Sequence, residues 1–95
     1  AGMNGMIRSL ALDFADKGVT ANAICPGFIE TELARIVAAQ EPDPEAAMQK
    51  RRMMHPIPRA GRPEEIAALA VYLTSDGAAF TTGQSGVFDG GFTIR

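Results

Sequence analysis

The residues best placed to do chemistry lie between Val19 and Glu32, in Val-Thr-Ala-Asn-Ala-Ile-Cys-Pro-Gly-Phe-Ile-Glu-Thr-Glu. Val19 to Cys25 is a short apolar run stopped by Pro26-Gly27, which reads as a strand buried on both faces in a parallel sheet. Pro26 offers no amide hydrogen to a ladder, and Gly27 permits a positive φ or the close approach of another group to bare backbone. In open α/β sheets ligands bind beyond the carboxyl ends of strands, where Pro26 to Thr31 would sit. A plainer reading stands beside this one: Pro-Gly is a common strand-ending turn, and Thr31 is a good N-cap for a helix starting at Glu32. Lys50, Arg51 and Arg52 could form an anion site, although basic residues in the last turn of a helix are already explained by the helix dipole. His55 has a side chain suited to proton transfer near neutral pH, but no nucleophile or carboxylate stands at a recognisable spacing from it. The sequence holds no Ser-His-Asp constellation, no His/Cys/carboxylate cluster suited to a metal, and no Gly-x-Gly-x-x-Gly turn to cradle a phosphate. It therefore offers no catalytic residue and no metal ligand of its own.

The elements that must hold these residues can be read in order. Met3, Met6, Ile7, Leu10, Ala11 and Phe14 form one stripe of a helix from Ala1 to Lys17, closed by Gly18 as a C′ glycine. Glu32 to Gln40 reads as a second helix with Leu33, Ile36 and Val37 inward. After Glu41-Pro42, Asp43 suits an N-cap and Pro44 the first position of a third helix running to about Met53. Pro63 to Thr74 carries Pro at N1, Glu64 and Glu65 in the first turn, and Ile66, Leu69, Ala70 and Leu73 at helical spacing. A short strand, Gln84 to Phe88, precedes an Asp89-Gly90-Gly91 turn.

Asn22-Ala-Ile-Cys-Pro-Gly-Phe-Ile-Glu-Thr31 resembles the segment after the sixth strand of the short-chain dehydrogenase/reductase family. Arg59-Ala-Gly-Arg-Pro-Glu-Glu-Ile66, Leu73-Thr-Ser-Asp76, Thr82-Gly-Gln84 and Asp89-Gly-Gly91 match that family's later motifs in order and spacing, so the resemblance spans essentially the whole chain. It departs at Pro58, where the family usually has Gly, and at Phe88, where Val is common.

The resemblance implies an α/β fold, the C-terminal half of a Rossmann-like doubly wound parallel sheet, with residues 1–95 as a single partial domain. It implies two adjacent parallel strands, Val19 to Cys25 and Gln84 to Phe88, joined by a right-handed crossover. For the site it implies NAD or NADP as cofactor: Pro26 and Gly27 lining the nicotinamide, the backbone of Ile29 bonding the carboxamide, and the Thr31 hydroxyl reaching the carboxamide or pyrophosphate. Phe28, Leu33, Ile36 and Val37 would belong to a substrate lid over a small alcohol or carbonyl compound. In the family, an Ala-Gly or Ala-Ala before an apolar helix directly follows the Lys of a catalytic Tyr-x-x-x-Lys pair. Tyr72 is the only tyrosine and Asp76 stands four positions later, so the expectation is a cut chain whose catalytic pair lies before Ala1.

A net charge of −2 and a pI near 5.2 give no electrostatic case for nucleic acid or an anionic membrane surface. No apolar run approaches the roughly 20 residues of a membrane-spanning helix. The single Cys25 cannot form an intramolecular disulfide, which fits a reducing cytoplasm. Two readings follow: the C-terminal segment of a nicotinamide-dependent oxidoreductase, or a stand-alone non-catalytic module that assembles through an exposed sheet edge. Either way the strand from Val19 to Cys25 lacks the Lys or Pro guards of natural edges, so the chain is expected to form a homo-oligomer or to pair with a missing N-terminal half.

Overall fold

The structure is a computed structural model, described for residues 2–95, so the expected helix start at Ala1 lies outside the described residues. The elements are α1 (Gly2–Phe14), β1 (Ala23–Pro26), α2 (Glu32–Ala38), α3 (Pro44–Met53), α4 (Pro63–Leu73) and β2 (Ser85–Phe88), with short 3₁₀ turns after α1, after α4 and at the C-terminus. β1 and β2 are neighbours in one sheet. Their ladder bonds advance together, Ala23 N–H to Gln84 O at 2.8 Å and Gly27 N–H to Phe88 O at 3.1 Å, which is the parallel arrangement expected.

The chain clusters into two compact units. One comprises the chain up to Cys25 together with Ala67–Val87. Here α1 ends as expected: its last turn tightens to 3₁₀ geometry at Ala15–Lys17, and Gly18 takes the left-handed conformation at φ 71°. The stripe on α1 is less buried than its pattern implies. Ala11 is buried and Ile7 half-buried, whereas Met3, Met6, Leu10 and Phe14 are exposed. β1 starts four residues later than the expected Val19. Val19 N–H is still engaged at the end of α1, by Phe14 O at 3.3 Å. Further on, the side chains of Asn22 and Thr82 share the pairing with one backbone bond, Gly83 N–H to Ala21 O at 2.8 Å. Ala21 N–H donates to Thr82 Oγ1 at 3.0 Å, Asn22 Nδ2 donates to Thr81 O at 3.1 Å, and Gln84 N–H donates to Asn22 Oδ1 at 3.1 Å. The backbone groups are satisfied without a regular ladder.

The other unit comprises Pro26–Ile66 and Phe88–Arg95. Both α2 and α3 are capped as their sequences predict: Thr31 Oγ1 accepts from Ala34 N–H at 3.1 Å and Asp43 Oδ1 from Ala46 N–H at 3.2 Å. α3 occupies the predicted residues, while α2 stops at Ala38, two short of Gln40. The expectation that Leu33, Ile36 and Val37 point inward is overturned, since they are 69%, 53% and 49% exposed and Ala38 is the buried residue of α2. A seven-residue helix has a narrow contact face, and here small Ala38 fills it. His55 is buried between two rings, with centroids 6.0 Å from Phe28 and 5.1 Å from Phe92. Pro58 keeps the connector on a defined path: Arg59 N–H reaches Ile57 O at 2.7 Å, a three-residue turn whose central φ suits proline.

The start of α4 is held by Glu65. Its carboxylate takes two bonds from the Arg59 guanidinium, at 2.7 and 2.9 Å, and one from Arg62 N–H at 2.9 Å, so it reaches back over the first turn as the acidic member of a capping box does. The Arg59 bonds, then the Arg62 amide, hold the Glu65 carboxyl down at about 2, against the opposing effect of burial. A carboxyl lowered on folding stabilises the fold above its unfolded value, and that contribution disappears as pH falls from about 4.5 to about 2. Glu65→Gln is therefore expected to be less stable than the parent at pH 6 and to converge with it as pH falls through that window. Urea midpoints of both proteins at stepped pH measure this, and a pH-independent gap would contradict it.

Candidate functional site

The turn after β1 is built by close packing of the chain on itself. Gly27 does not use a positive φ. Its missing side chain is what matters: a Cβ there would lie 2.5 Å from Asp89 Cβ and 2.8 Å from Asp89 Cα. The bare face read from the sequence as room for a ligand is thus taken by Asp89. Asp89 is itself fixed, its carboxylate accepting from Gly91 N–H and Thr93 N–H, each at 3.0 Å. Burial pushes its carboxyl up, but the Thr93 and Gly91 bonds outweigh that and leave it below the ordinary range.

Two residues on, Ile29 forms an isolated parallel bridge with Gly61, through Gly61 N–H to Phe28 O at 2.9 Å and Glu30 N–H to Gly61 O at 2.8 Å. In such a bridge the central residue's own N–H and C=O point away from the partner. Neither group of Ile29 has a hydrogen-bond partner among the described residues.

These residues share a cleft of about 580 Å³, within the range of small-molecule sites. It is lined by Pro26, Gly27, Phe28, Ile29 and Thr31, by Leu33, Ala34 and Val37 of α2, by Arg51 of α3, and by Pro63 and Ile66 of α4. All four predicted cofactor-binding residues are therefore brought together, along with Phe28, Leu33 and Val37 of the predicted lid. Ile36 is not among the lining residues. Of Lys50, Arg51 and Arg52, read from the sequence as a possible anion site beside their plainer explanation by the helix dipole, only Arg51 lines this cleft. The sequence reading missed Ile66, whose helical spacing marked it only as core.

The surroundings of the cleft are mainly apolar, with Thr31 as the one hydroxyl. That hydroxyl oxygen accepts the cap bond from Ala34, which leaves its proton free to donate. Arg52, by contrast, is engaged outside the cleft with Glu45 at 2.9 Å and Gln49 at 3.2 Å. His55 holds a structural post: its Nδ1 lies 2.8 Å from Arg51 O, which requires the proton on that nitrogen.

A parallel strand pair with a ligand-sized cleft beside the turn at the carboxyl end of a strand is the arrangement of an α/β protein. Residues 1–93 match the family described as enoyl-(acyl carrier protein) reductase. The chain is 44% identical over 94 residues to cyclohexanol dehydrogenase of Acinetobacter sp. (strain SE19), covering 99% of this chain and 34% of that protein. It is 38% identical over 96 residues to oxidoreductase UcpA of Escherichia coli (strain K12), covering 99% and 36%. The structure of a C-terminal deletion mutant of Thermoplasma acidophilum aldohexose dehydrogenase superposes with a TM-score of 0.91 at 35% identity, over 99% of this chain and 43% of that one. The chain belongs to the short-chain dehydrogenase/reductase family, with the Rossmann-like fold of its relatives. It spans about a third of the length of the curated relatives it matches.

Proposed function

We propose that this chain is the C-terminal part of a single NAD- or NADP-dependent domain that interconverts an alcohol and a carbonyl compound, with Pro26 to Thr31 as the nicotinamide wall and α2 and α3 as the substrate lid. The observation that carries this reading is the Ile29 backbone: an unengaged N–H and C=O beside the free Thr31 hydroxyl proton, on one otherwise apolar cleft. A carboxamide needs that pairing of donor and acceptor, and an apolar wall suits the flat face of a nicotinamide ring. The cofactor would supply a hydride acceptor for the carbinol carbon, and Ile29 and Thr31 are the residues of this chain that would hold its carboxamide. In this chain Ile29 and Thr31 would orient the ring, while Phe28, Leu33 and Val37 would exclude water from the substrate. The residues present fit that task, although Gly27 owes its identity to Asp89 and lines the ring only with its remaining backbone. A cytoplasmic setting agrees with the single cysteine.

The chain contains no Tyr-x-x-x-Lys and no glycine-rich phosphate turn, so by itself it is expected to give no turnover of any alcohol with either cofactor. The full-length protein is expected to be active, and Thr31→Val in it should weaken cofactor binding roughly tenfold, in line with the loss of a hydrogen bond worth about 1 kcal/mol or somewhat more. Absorbance of the reduced cofactor and a cofactor titration test both statements. Turnover that persists in the highly purified chain, or unaltered binding by the variant, would contradict them. A second reading, a non-catalytic module assembling through its sheet edge, draws on the many exposed apolar residues described above, and a full-length protein inactive on every alcohol tried would favour it.

A further inference from the structure

We infer that Arg51 makes this a site for substrates bearing a carboxylate, an inference that rests on the alcohol–carbonyl reading above and adds the substrate class. Among the cleft's lining residues Arg51 is the only charged one. Its guanidinium lies 4.1 Å from the centroid of the Phe28 ring, a stacked position that fixes the planar fork without using its donors. The backbone beneath it is pinned as well, because Arg51 O accepts from His55 Nδ1 at 2.8 Å and from Met54 N–H at 3.2 Å.

Three other arginines of this unit show what Arg51 lacks, while Arg62 and Arg95, also without a carboxylate within 4.0 Å among the described residues, do not line the cleft. Arg35, Arg52 and Arg59 pair with Glu30, Glu45 and Glu65 at 3.5, 2.9 and 2.7 Å, and Arg51 has no carboxylate within 4.0 Å among the described residues. Arg51 also borders a second cavity, between α2 and α3, where Glu41, Asp43 and Lys50 stand, yet neither acid closes on it. A positioned, unpaired guanidinium on an apolar wall matches the two oxygens of a carboxylate, taken bidentately. A phosphate dianion fits less well, since Arg51 is the cleft's single cation.

The test uses the full-length protein, with small secondary alcohols that carry a carboxylate, each matched to its carboxamide and to a phosphate ester of similar size. The unmodified protein is expected to prefer the carboxylate in kcat/KM. Arg51→Met should lower the carboxylate-to-carboxamide ratio about tenfold to a hundredfold, the loss typical of a charge-assisted bidentate contact. Arg51→Lys should retain part of the preference. Lys50→Met, which removes a neighbouring charge outside the cleft, should leave the ratio unchanged. Equal use of carboxylate and carboxamide, a phosphate ester preferred to both, a ratio insensitive to Arg51→Met, or an equal fall in Lys50→Met would each overturn the inference. Calorimetric binding of benzoate against benzamide reads the same contact without turnover and without a variant. Equal affinities there overturn the carboxylate assignment even in an active enzyme, whereas a benzoate preference in a protein that turns over no alcohol leaves it standing and refutes the oxidoreductase reading.

Discussion

Replacing Gly27 by alanine is expected to destabilise the protein by about 3 kcal/mol, the upper end of the cost of overpacking a well-filled site. The new methyl would sit 2.5 Å from Asp89 Cβ and 2.8 Å from Asp89 Cα, and the second of these is backbone, which cannot swing aside. Retreat of the Asp89 segment is blocked on several sides. Phe88 O accepts from Gly27 N–H at 3.1 Å, Gly90 O from Ile57 N–H at 3.0 Å, and the Asp89 carboxylate from the Gly91 and Thr93 amides. Gly61→Ala is the informative control. Its Cβ would be crowded by Ile29 Cδ1, at 2.7 Å, the rotatable end of a side chain, while the nearest backbone atom, Phe28 O at 3.7 Å, is at ordinary contact distance. A shift of the denaturant midpoint at least twice as large for Gly27→Ala as for Gly61→Ala is the expected result. Addition of Asp89→Gly to Gly27→Ala should recover part of the loss by removing the closer contact, and a strictly additive double variant would show that the two residues do not meet.

How legible this site was depends on whether a residue acts through the chain near it or across the fold. Thr31 and Asp43 cap their helices because a cap is a local bond to an amide a few residues on, and the residue type in front of a helical pattern identifies it. Gly18 and α3 were legible for the same reason. Gly27 was recognised as a position needing a bare Cα, but the group that presses on it comes from residue 89, and nothing near Gly27 in sequence could say so. Arg51 was legible only as one of three basic residues with a sufficient local explanation, the helix dipole, and was singled out once Phe28 and the cleft were placed beside it. The strand starting at Val19 failed because Val19 N–H is still engaged at the end of α1 and the side chains of Asn22 and Thr82 share the pairing beyond it, neither of which is visible to a reading based on apolar runs.

The isolated chain is expected to self-associate at micromolar concentration. Its buried apolar residues are Ala11, Ala23, Ala38, Ala60, Ala78 and Met48, so among the described residues no large side chain is fully buried. The large apolar residues lie outside: on α1 alone Met3 is 59% exposed, Met6 57% and Leu12 81%. Burying each such side chain is worth about 1.5–3 kcal/mol. A few of them covered together would rival the roughly 5–15 kcal/mol by which a typical domain is stable. β1 adds to this drive, since the sheet pairs it only with β2 among the described residues and Ala23, Ile24 and Cys25 carry no charge to deter another strand. Met3→Lys together with Met6→Lys should shift the chain toward monomer if the α1 face is the surface that associates. If it is the edge of β1, Ile24→Lys should do so instead. Sedimentation velocity on the three proteins separates these outcomes, and a parent chain that runs as one monomeric species with a cooperative denaturant transition would refute the expectation, because it would mean that a core of alanines and one methionine is enough.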